Sequence, residues 1–287
     1  MSENFSFGGR ALDLAEIQVM GVLNVTPDSF SDGGQFTTLS SAIVRAEQMI
    51  LQGASVIDVG GESTRPGAAQ VSTQEEVDRV CPVVEQLVKR FDVVVSVDTS
   101  TPMLMSESIS LGAGLINDVR AFSREGAVDA VKKSSVALCL MHMQGAPVSM
   151  QKAPSYMSVV DEVYDFLQST TADIVAQGVG PGRLLVDPGF GFGKTLQHNM
   201  QILNNIDHFI KLGFPVLVGL SRKSMFSEIL NKPVDERLFG SLSGAVVAAY
   251  QGAKIIRAHD VGETKDAMRV VDVINKCAKL TNDELRN

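Results

Sequence analysis

Polar residues able to bind a ligand recur at one kind of place in this sequence, just after short runs rich in Val, Ile and Leu. Asn24, Asp58, Asp98, Asn117, His142, Asp187, the cluster Ser221-Arg222-Lys223-Ser224, and Arg257 with His259 close eight such runs. Asp98, Asn117 and Asp187 ("SVDTS", "INDVR", "LLVDPG") offer carboxylate acceptors and an amide that both donates and accepts, a set suited to an amino-heterocycle. A single Asp at a strand end also serves commonly as a helix cap. Arg257 and His259 in "IIRAHD" stand two apart, so on a strand both leave on the same side, as an anion grip requires. The serines and bases of "GLSRKSMF" lead into a helix whose N-terminus suits a carboxylate or phosphate, or else merely cap it.

Other chemistries are excluded by spacing. "VDPGFGFGKT" (residues 186–195) resembles a nucleotide phosphate loop, but Pro188 stands where that loop needs its first glycine, and proline has no N–H to give a phosphate. The four histidines are scattered and no H-E-x-x-H occurs, so no dedicated metal cage is expected. A Mg²⁺ ion held mainly by a substrate diphosphate needs only one or two protein ligands. "MHMQG" reads as packing around one satisfied imidazole, His142.

The elements that position these residues follow from the pattern. Apolar runs at 19–26, 56–60, 93–99, 115–120, 137–143, 184–187, 215–221 and 255–260 alternate with stretches of helical period, such as Leu39, Ile43, Ala46 and Ile50. Thr73 with Glu76 reads as a capping box, and Thr101-Pro102 as a cap followed by proline at the first helical position. The segments "GASVID", "GAGLIN" and "GAKIIR" share one pattern and end in register on Asp58, Asn117 and Arg257; an internal repeat and shared turn preferences both account for this. Eight βα units with polar strand ends predict a single (β/α)₈ TIM barrel, class α/β, over residues 1–287 with a core of about 11–278, because that fold gathers all strand C-termini on one face. A doubly wound sheet would carry G-x-G-x-x-G after the first strand, and none is there.

Composition agrees with an ordinary globule: 45% hydrophobic and 20% charged residues supply a core without an excess of surface charge. The net charge of −8 disfavours nucleic acid and anionic membrane as main partners. Three distant cysteines suggest neither disulfides nor zinc, so a reducing cytoplasm is expected, and no apolar run is long enough to span a membrane. Two loops stand out: "GVLNVTPDSFSDGG" (residues 21–34) carries Phe30 in a turn-rich stretch, suited to a substrate lid or an ordinary loop, and "DVGGESTRPGA" (residues 58–68) carries Arg65 beside a flexible glycine pair.

Those two loops, with "SVDT", "INDVRAF", "LMHMQG", "DPGFGFGKT", "LVGLSRKSM" and "IIRAHDV", resemble the dihydropteroate synthase family of pterin-binding enzymes from about Ala11 to Val271. The resemblance implies a homodimeric barrel in the folate pathway, inhibited by sulfonamides. It joins 6-hydroxymethyl-7,8-dihydropterin diphosphate to 4-aminobenzoate, releasing diphosphate and 7,8-dihydropteroate. By resemblance, Asp98, Asn117, Asp187 and Lys223 hold the pterin. Arg257, His259 and Asn24 hold the diphosphate, Asn24 also as a Mg²⁺ ligand. Thr64, Arg65, Pro66, Phe30, Phe192 and Ser224 shape the aminobenzoate pocket, and Lys194-Thr195 leads toward the next helix. Asp98, Lys223, Arg257 and His259 are the expected catalytic groups, in an SN1-like substitution with Mg²⁺-assisted diphosphate departure. A pterin-dependent methyltransferase would share the Asp and Asn contacts but lack the first loop and the Ser-Arg-Lys-Ser cluster. A catalytically silent paralogue would not need both loops intact.

Overall fold

Two short strands precede the repeating pattern and were not foreseen in the sequence. Strands β1 (Asn4–Phe7) and β2 (Arg10–Asp13) pair antiparallel across the Gly8-Gly9 turn. The structure, a computed structural model, describes residues 4–26, 35–62, 71–145 and 150–279. Each of the eight apolar runs then forms a strand: β3 (Gln18–Asn24), β4 (Val56–Gly60), β5 (Val94–Asp98), β6 (Leu115–Asp118), β7 (Ala137–Met141), β8 (Leu184–Asp187), β9 (Leu217–Gly219) and β10 (Ile255–Ala258). All pair in parallel in the order β8-β7-β6-β5-β4-β3-β10-β9, and a bridge between Val186 and Val216 joins the two ends into a (β/α)₈ barrel.

The period-two alternation of the strands sorts side chains into two cores. Val19, Leu23, Ile57, Val59, Val95 and Val97 point outward and pack under the helices. Met20, Val56, Val94, Leu115, Leu217 and Ile255 point inward at the N-terminal end, where Phe7 and Leu14 close the floor. Phe7 is 1% exposed, and burying such a side chain contributes about 1.5–3 kcal/mol, so the hairpin acts as a plug. It approaches closely because Gly114 has no side chain: a Cβ there would lie 2.9 Å from the Phe7 carbonyl oxygen.

The outer layer comprises α1 (Gln35–Leu51), α2 (Thr73–Arg90), α3 (Pro102–Ser110), α4 (Ala127–Val131), α5 (Val159–Ala176), α6 (Leu196–Leu203), α7 (Ile206–Ile210), α8 (Ser224–Leu230), α9 (Leu238–Tyr250) and α10 (Val261–Lys279). Of the stripe foreseen on α1, Ile43 and Ala46 are buried. The expected cap of α2 is displaced by one residue: Ser72 and Glu75 form the capping box. Glu76 is instead 3% exposed, its carboxylate accepting from the Thr99 and Thr101 hydroxyls at 2.7 and 2.6 Å. Thr101 therefore ties β5 to α2 and makes no side-chain cap on α3, although Pro102 does open that helix. Among the described residues, no helix is long and apolar enough to cross a membrane.

Candidate active site

Above the apolar floor the barrel interior turns polar. The three residues that end the matching segments meet here: Asp58 accepts from Arg257 Nε at 2.6 Å and from Asn117 Nδ2 at 3.3 Å, and also from the Ser96 hydroxyl at 2.6 Å. Asp58 is fully buried, so this carboxylate is a structural counter-charge and not a ligand-facing group. Arg257 Nη2 donates to Asp98 at 2.9 Å. Burial opposes the charge on Arg257, but Asp58, Asp98 and Asp187 outweigh it and raise the guanidinium pKa. The expected anion grip thus begins from an arginine already held by two carboxylates.

The upper edge of this layer carries glycine at two strand ends. On β4 and β9 the uppermost residues are Gly60 and Gly219; a Cβ on Gly60 would touch Asn24 Oδ1 and the Asp98 Cβ at 3.7 Å, and one on Gly219 would touch Arg257. Asn117 is 4% exposed and its Oδ1 has no hydrogen-bond partner among the described residues. Its amide nitrogen is committed to Asp58, so the acceptor side is oriented by the protein and left for something else. Asp187, 5% exposed, accepts from the Gly189 N–H at 2.7 Å. Burial pushes its pKa up to about 6, against that hydrogen bond and the charges of Lys223, Lys194 and Arg257. Burial likewise raises Asp98, opposed by Arg257 and reinforced by Asp58. Val119, Met141, Met150 and Phe192 form an apolar wall beside them.

The Ser221-to-Ser224 cluster does not act as one anion seat. Arg222 takes a left-handed backbone, φ 61°, and this single residue sends its neighbours different ways. Its guanidinium pairs with Asp260, Nε–Oδ2 3.1 Å and Nη2–Oδ1 2.5 Å. Lys223 Nζ sits 4.3 Å over the Phe192 ring, and desolvation with the nearby Arg257 lowers its pKa to about 8, against Asp187 and Asp98. Ser224 is the exposed first residue of α8. Ser221 Oγ receives the His259 backbone N–H at 3.1 Å and lies 3.0 Å from His259 Nδ1. The hydroxyl hydrogen is best used toward Nδ1, which places the imidazole proton on Nε2. Desolvation and then Arg257 lower the His259 pKa to about 3, so this residue offers a neutral N–H donor and not a cation.

Asn24 ends β3 beside Asp98, the two oxygens flanking Gly60. Phe30, Thr64, Arg65 and Pro66 lie outside the described residues. Phe192, expected near the aminobenzoate, is buried against Met141, Val119 and Lys223 and so lies on the Asn117–Asp187 side. Lys194-Thr195 does lead into the next helix, Thr195 capping α6, while the Lys194 side chain is 3% exposed and hydrogen-bonded to His142. His142 itself is buried, as the packing reading requires, in a T-shaped contact with Phe166, ring centroids 4.9 Å apart. Asp58 in its counter-charge role, Ser96 and Glu76 escape the sequence reading, although the matching segment ends pointed to Asp58. Among the described residues, no group of three or more His, Cys, Asp and Glu side chains is arranged to hold a metal ion.

A family described as pterin binding enzyme matches residues 20–259. The dihydropteroate synthase of Escherichia coli K12 is 53% identical over 264 residues, covering 92% of this chain and 94% of that protein. Among solved structures, the Yersinia pestis dihydropteroate synthase with a sulfonamide drug complex superposes with a TM-score of 0.91 at 50% identity, covering 95% of this chain and 99% of that one. The Xanthomonas albilineans dihydropteroate synthase with 4-aminobenzoic acid superposes with a TM-score of 0.90 at 43% identity, covering 96% and 99%. A barrel whose polar layer lies at the strand ends, matched over nearly its whole length by these enzymes, belongs to the pterin-binding family as a dihydropteroate synthase, a transferase of folate biosynthesis.

Proposed function

We propose that the barrel mouth binds 6-hydroxymethyl-7,8-dihydropterin diphosphate with its ring between Asp98, Asn117, Asp187 and Lys223, and transfers its pterin-methyl group to 4-aminobenzoate. The observation that carries this reading is the oriented Asn117 oxygen, without a hydrogen-bond partner among the described residues, together with the carboxylates of Asp98 and Asp187 and the amine of Lys223. A pterin offers ring and exocyclic N–H groups to such acceptors, and its carbonyl and ring nitrogens to Lys223.

In the reaction the C–O bond to diphosphate breaks, the electron pair leaves with the diphosphate oxygen, and the amine nitrogen forms the new C–N bond and loses a proton. An arylamine is already neutral at pH 7, so departure of diphosphate is the harder part. Arg257 and the neutral Nε2–H of His259 stabilise charge building on the leaving oxygens, where one preorganised donor is worth about 3 kcal/mol. Asp98, whose ionisation Arg257 favours against the burial that raises its pKa to about 7, would in its ionised form stabilise the cation developing on the pterin methylene. The amide oxygen of Asn24 beside the Asp98 carboxylate suits a Mg²⁺ ion that takes its remaining ligands from diphosphate and water. When bound, Mg²⁺ would neutralise part of the leaving-group charge. Phe30, Thr64, Arg65, Pro66 and Ser224, with Phe192 at the boundary, form the aminobenzoate side, where sulfonamides would compete as they bind the Yersinia enzyme.

We also assign a homodimer. Phe239, Val246, Val247 and Tyr250 on α9 form one exposed apolar stripe, and Val270, Val273 and Ile274 on the adjoining α10 form another, more than an isolated monomer usually shows to water. The substitution mechanism is tested with 4-aminobenzoate analogues of falling amine basicity. A diphosphate release rate that stays level while product formation falls supports the dissociative path; strict parallel decline of both contradicts it.

A further inference from the structure

The lysine of "GFGK" has no part in the reaction above, yet it is among the most buried charged groups of the chain, 3% exposed. Its Nζ lies 2.9 Å from the Gly189 carbonyl oxygen, 3.1 Å from that of Phe192 and 2.9 Å from His142 Nδ1. Burial lowers the Lys194 pKa to about 7, against the Asp187 charge; in the ammonium form its three hydrogens are satisfied by these acceptors, and His142 Nδ1 is then unprotonated. A buried cation that was merely filling space would cost several kcal/mol.

The turn it holds is sterically fixed. Gly189 has φ 71°, and a Cβ on it would fall 1.9 Å from the His142 carbonyl oxygen; on Gly193, φ 64°, it would fall 2.4 Å from that of Gln144. From this turn two contacts reach the ligand side. The Gly189 N–H holds Asp187 Oδ1 at 2.7 Å, and the Phe192 ring lies beneath Lys223. Tyr156 Oη donates to the Gly193 carbonyl at 2.9 Å, and Asn199 Oδ1 accepts the Gly191 N–H at 2.8 Å, bracing the far side.

We propose that Lys194 is a positioning residue for the pterin subsite: with His142 it clamps the turn from Gly189 to Phe192, and through that turn it aims the Asp187 carboxylate and seats Lys223. The inference rests on the assignment of Asp187 to the pterin. Asp187 also feels the Lys194 charge, together with those of Lys223 and Arg257; its own charge helps to keep the buried Cys139 thiol protonated, and burial keeps His142 neutral. Loss of the Lys194 charge therefore makes Asp187 harder to ionise.

The test compares Lys194→Met, His142→Leu and Asp187→Asn by melting temperature, by titration with 6-hydroxymethyl-7,8-dihydropterin diphosphate across pH, and by KM for each substrate. Lys194→Met is expected to weaken pterin diphosphate binding about tenfold or more while leaving the aminobenzoate KM within about twofold, as loss of a supporting contact does. Its acid limb of pterin binding moves to higher pH. His142→Leu, which removes one acceptor, shifts pterin affinity the same way by less. A lower melting temperature with pterin affinity and acid limb unchanged overturns the clamp. If Lys194→Met fails to fold, His142→Leu decides: a pterin-selective loss supports the clamp, and none overturns it. Retained affinity in Asp187→Asn overturns the pterin assignment and the clamp with it, whereas loss there with none in Lys194→Met overturns the clamp alone.

Discussion

Asp58 and Arg257 meet inside the barrel at 2.6 Å from strands β4 and β10, which flank β3 on either side. They occupy the same place in two matching segments, "GASVID" and "GAKIIR", and their bond is what those equivalent positions build. Asp58 also holds Ser96 and Asn117, so one buried carboxylate fixes both the arginine proposed to meet diphosphate and the amide proposed to meet pterin. Charge at the site is thus set from below, before any ligand arrives.

Removing that counter-charge has a large expected effect. Asp58→Ala leaves the guanidinium without its closest partner and is expected to destabilise the protein by about 3–5 kcal/mol, the usual cost of orphaning one member of a buried pair. Asp58→Asn, which keeps an acceptor oxygen, should recover part of this. Urea denaturation of the three proteins gives the comparison, and equal stability of Asp58→Ala and wild type would show the pair to be unimportant.

Asn117 should act on ligand affinity more than on folding. Asn117→Ala removes the oriented acceptor and is expected to cost about 2 kcal/mol in pterin diphosphate binding, roughly thirtyfold in Kd. Calorimetric titration measures it, with the aminobenzoate KM as the internal control.

The hairpin plug separates stability from catalysis. Phe7→Ala empties the barrel floor, well below the polar layer, and is expected to cost about 3–5 kcal/mol of stability. Activity per folded molecule below the melting transition should be unchanged; a substantial fall in kcat would mean that the floor shapes the site.

His142 gives a pH signature. Burial, reinforced by Lys194, lowers its pKa from 6.5 to about 3, so its contribution to stability is present above pH 6.5 and is lost as pH falls toward 3. Between pH 6.5 and 5 this amounts to about 2 kcal/mol, a loss that His142→Leu cannot suffer. The stability gap between wild type and His142→Leu should therefore narrow on acidification, a difference that cancels the opposing titrations of Asp98 and Asp187 common to both proteins. A gap that stayed constant would place the imidazole in contact with solvent.

Much of this architecture is legible in the sequence because strand periodicity and polar strand ends are local signals. That Asp98, Asn117, Asp187, Lys223 and Arg257 gather at one end of the barrel follows from their positions once a barrel is inferred; the ligand roles given to them rest on the family resemblance. What stays hidden depends on direction at single residues. Arg222 takes a left-handed backbone that splits the Ser-Arg-Lys-Ser cluster, and nothing in the residue type announces it. Lys194 is legible only as a residue leading to the next helix until the fold brings His142, 52 residues away, against it at the end of β7. Glu76 fits a capping box in sequence as well as Glu75 does; only the buried hydroxyls of Thr99 and Thr101 draw it inward. The hairpin is missed because its eight paired residues alternate too briefly to stand out from a polar N-terminus.

On the proposed mechanism the barrel expels diphosphate from a bound pterin and delivers the pterin to an arylamine, with Asn24 and the diphosphate sharing a Mg²⁺ ion. The most direct measurement is diphosphate release with each substrate alone and with both, with and without Mg²⁺, alongside 7,8-dihydropteroate formation. Diphosphate should appear with the pterin substrate and Mg²⁺, match product one for one when 4-aminobenzoate is present, and fall sharply on chelation or in Asn24→Ala. Release unaffected by removing Mg²⁺, or product formed without stoichiometric diphosphate, would contradict the account.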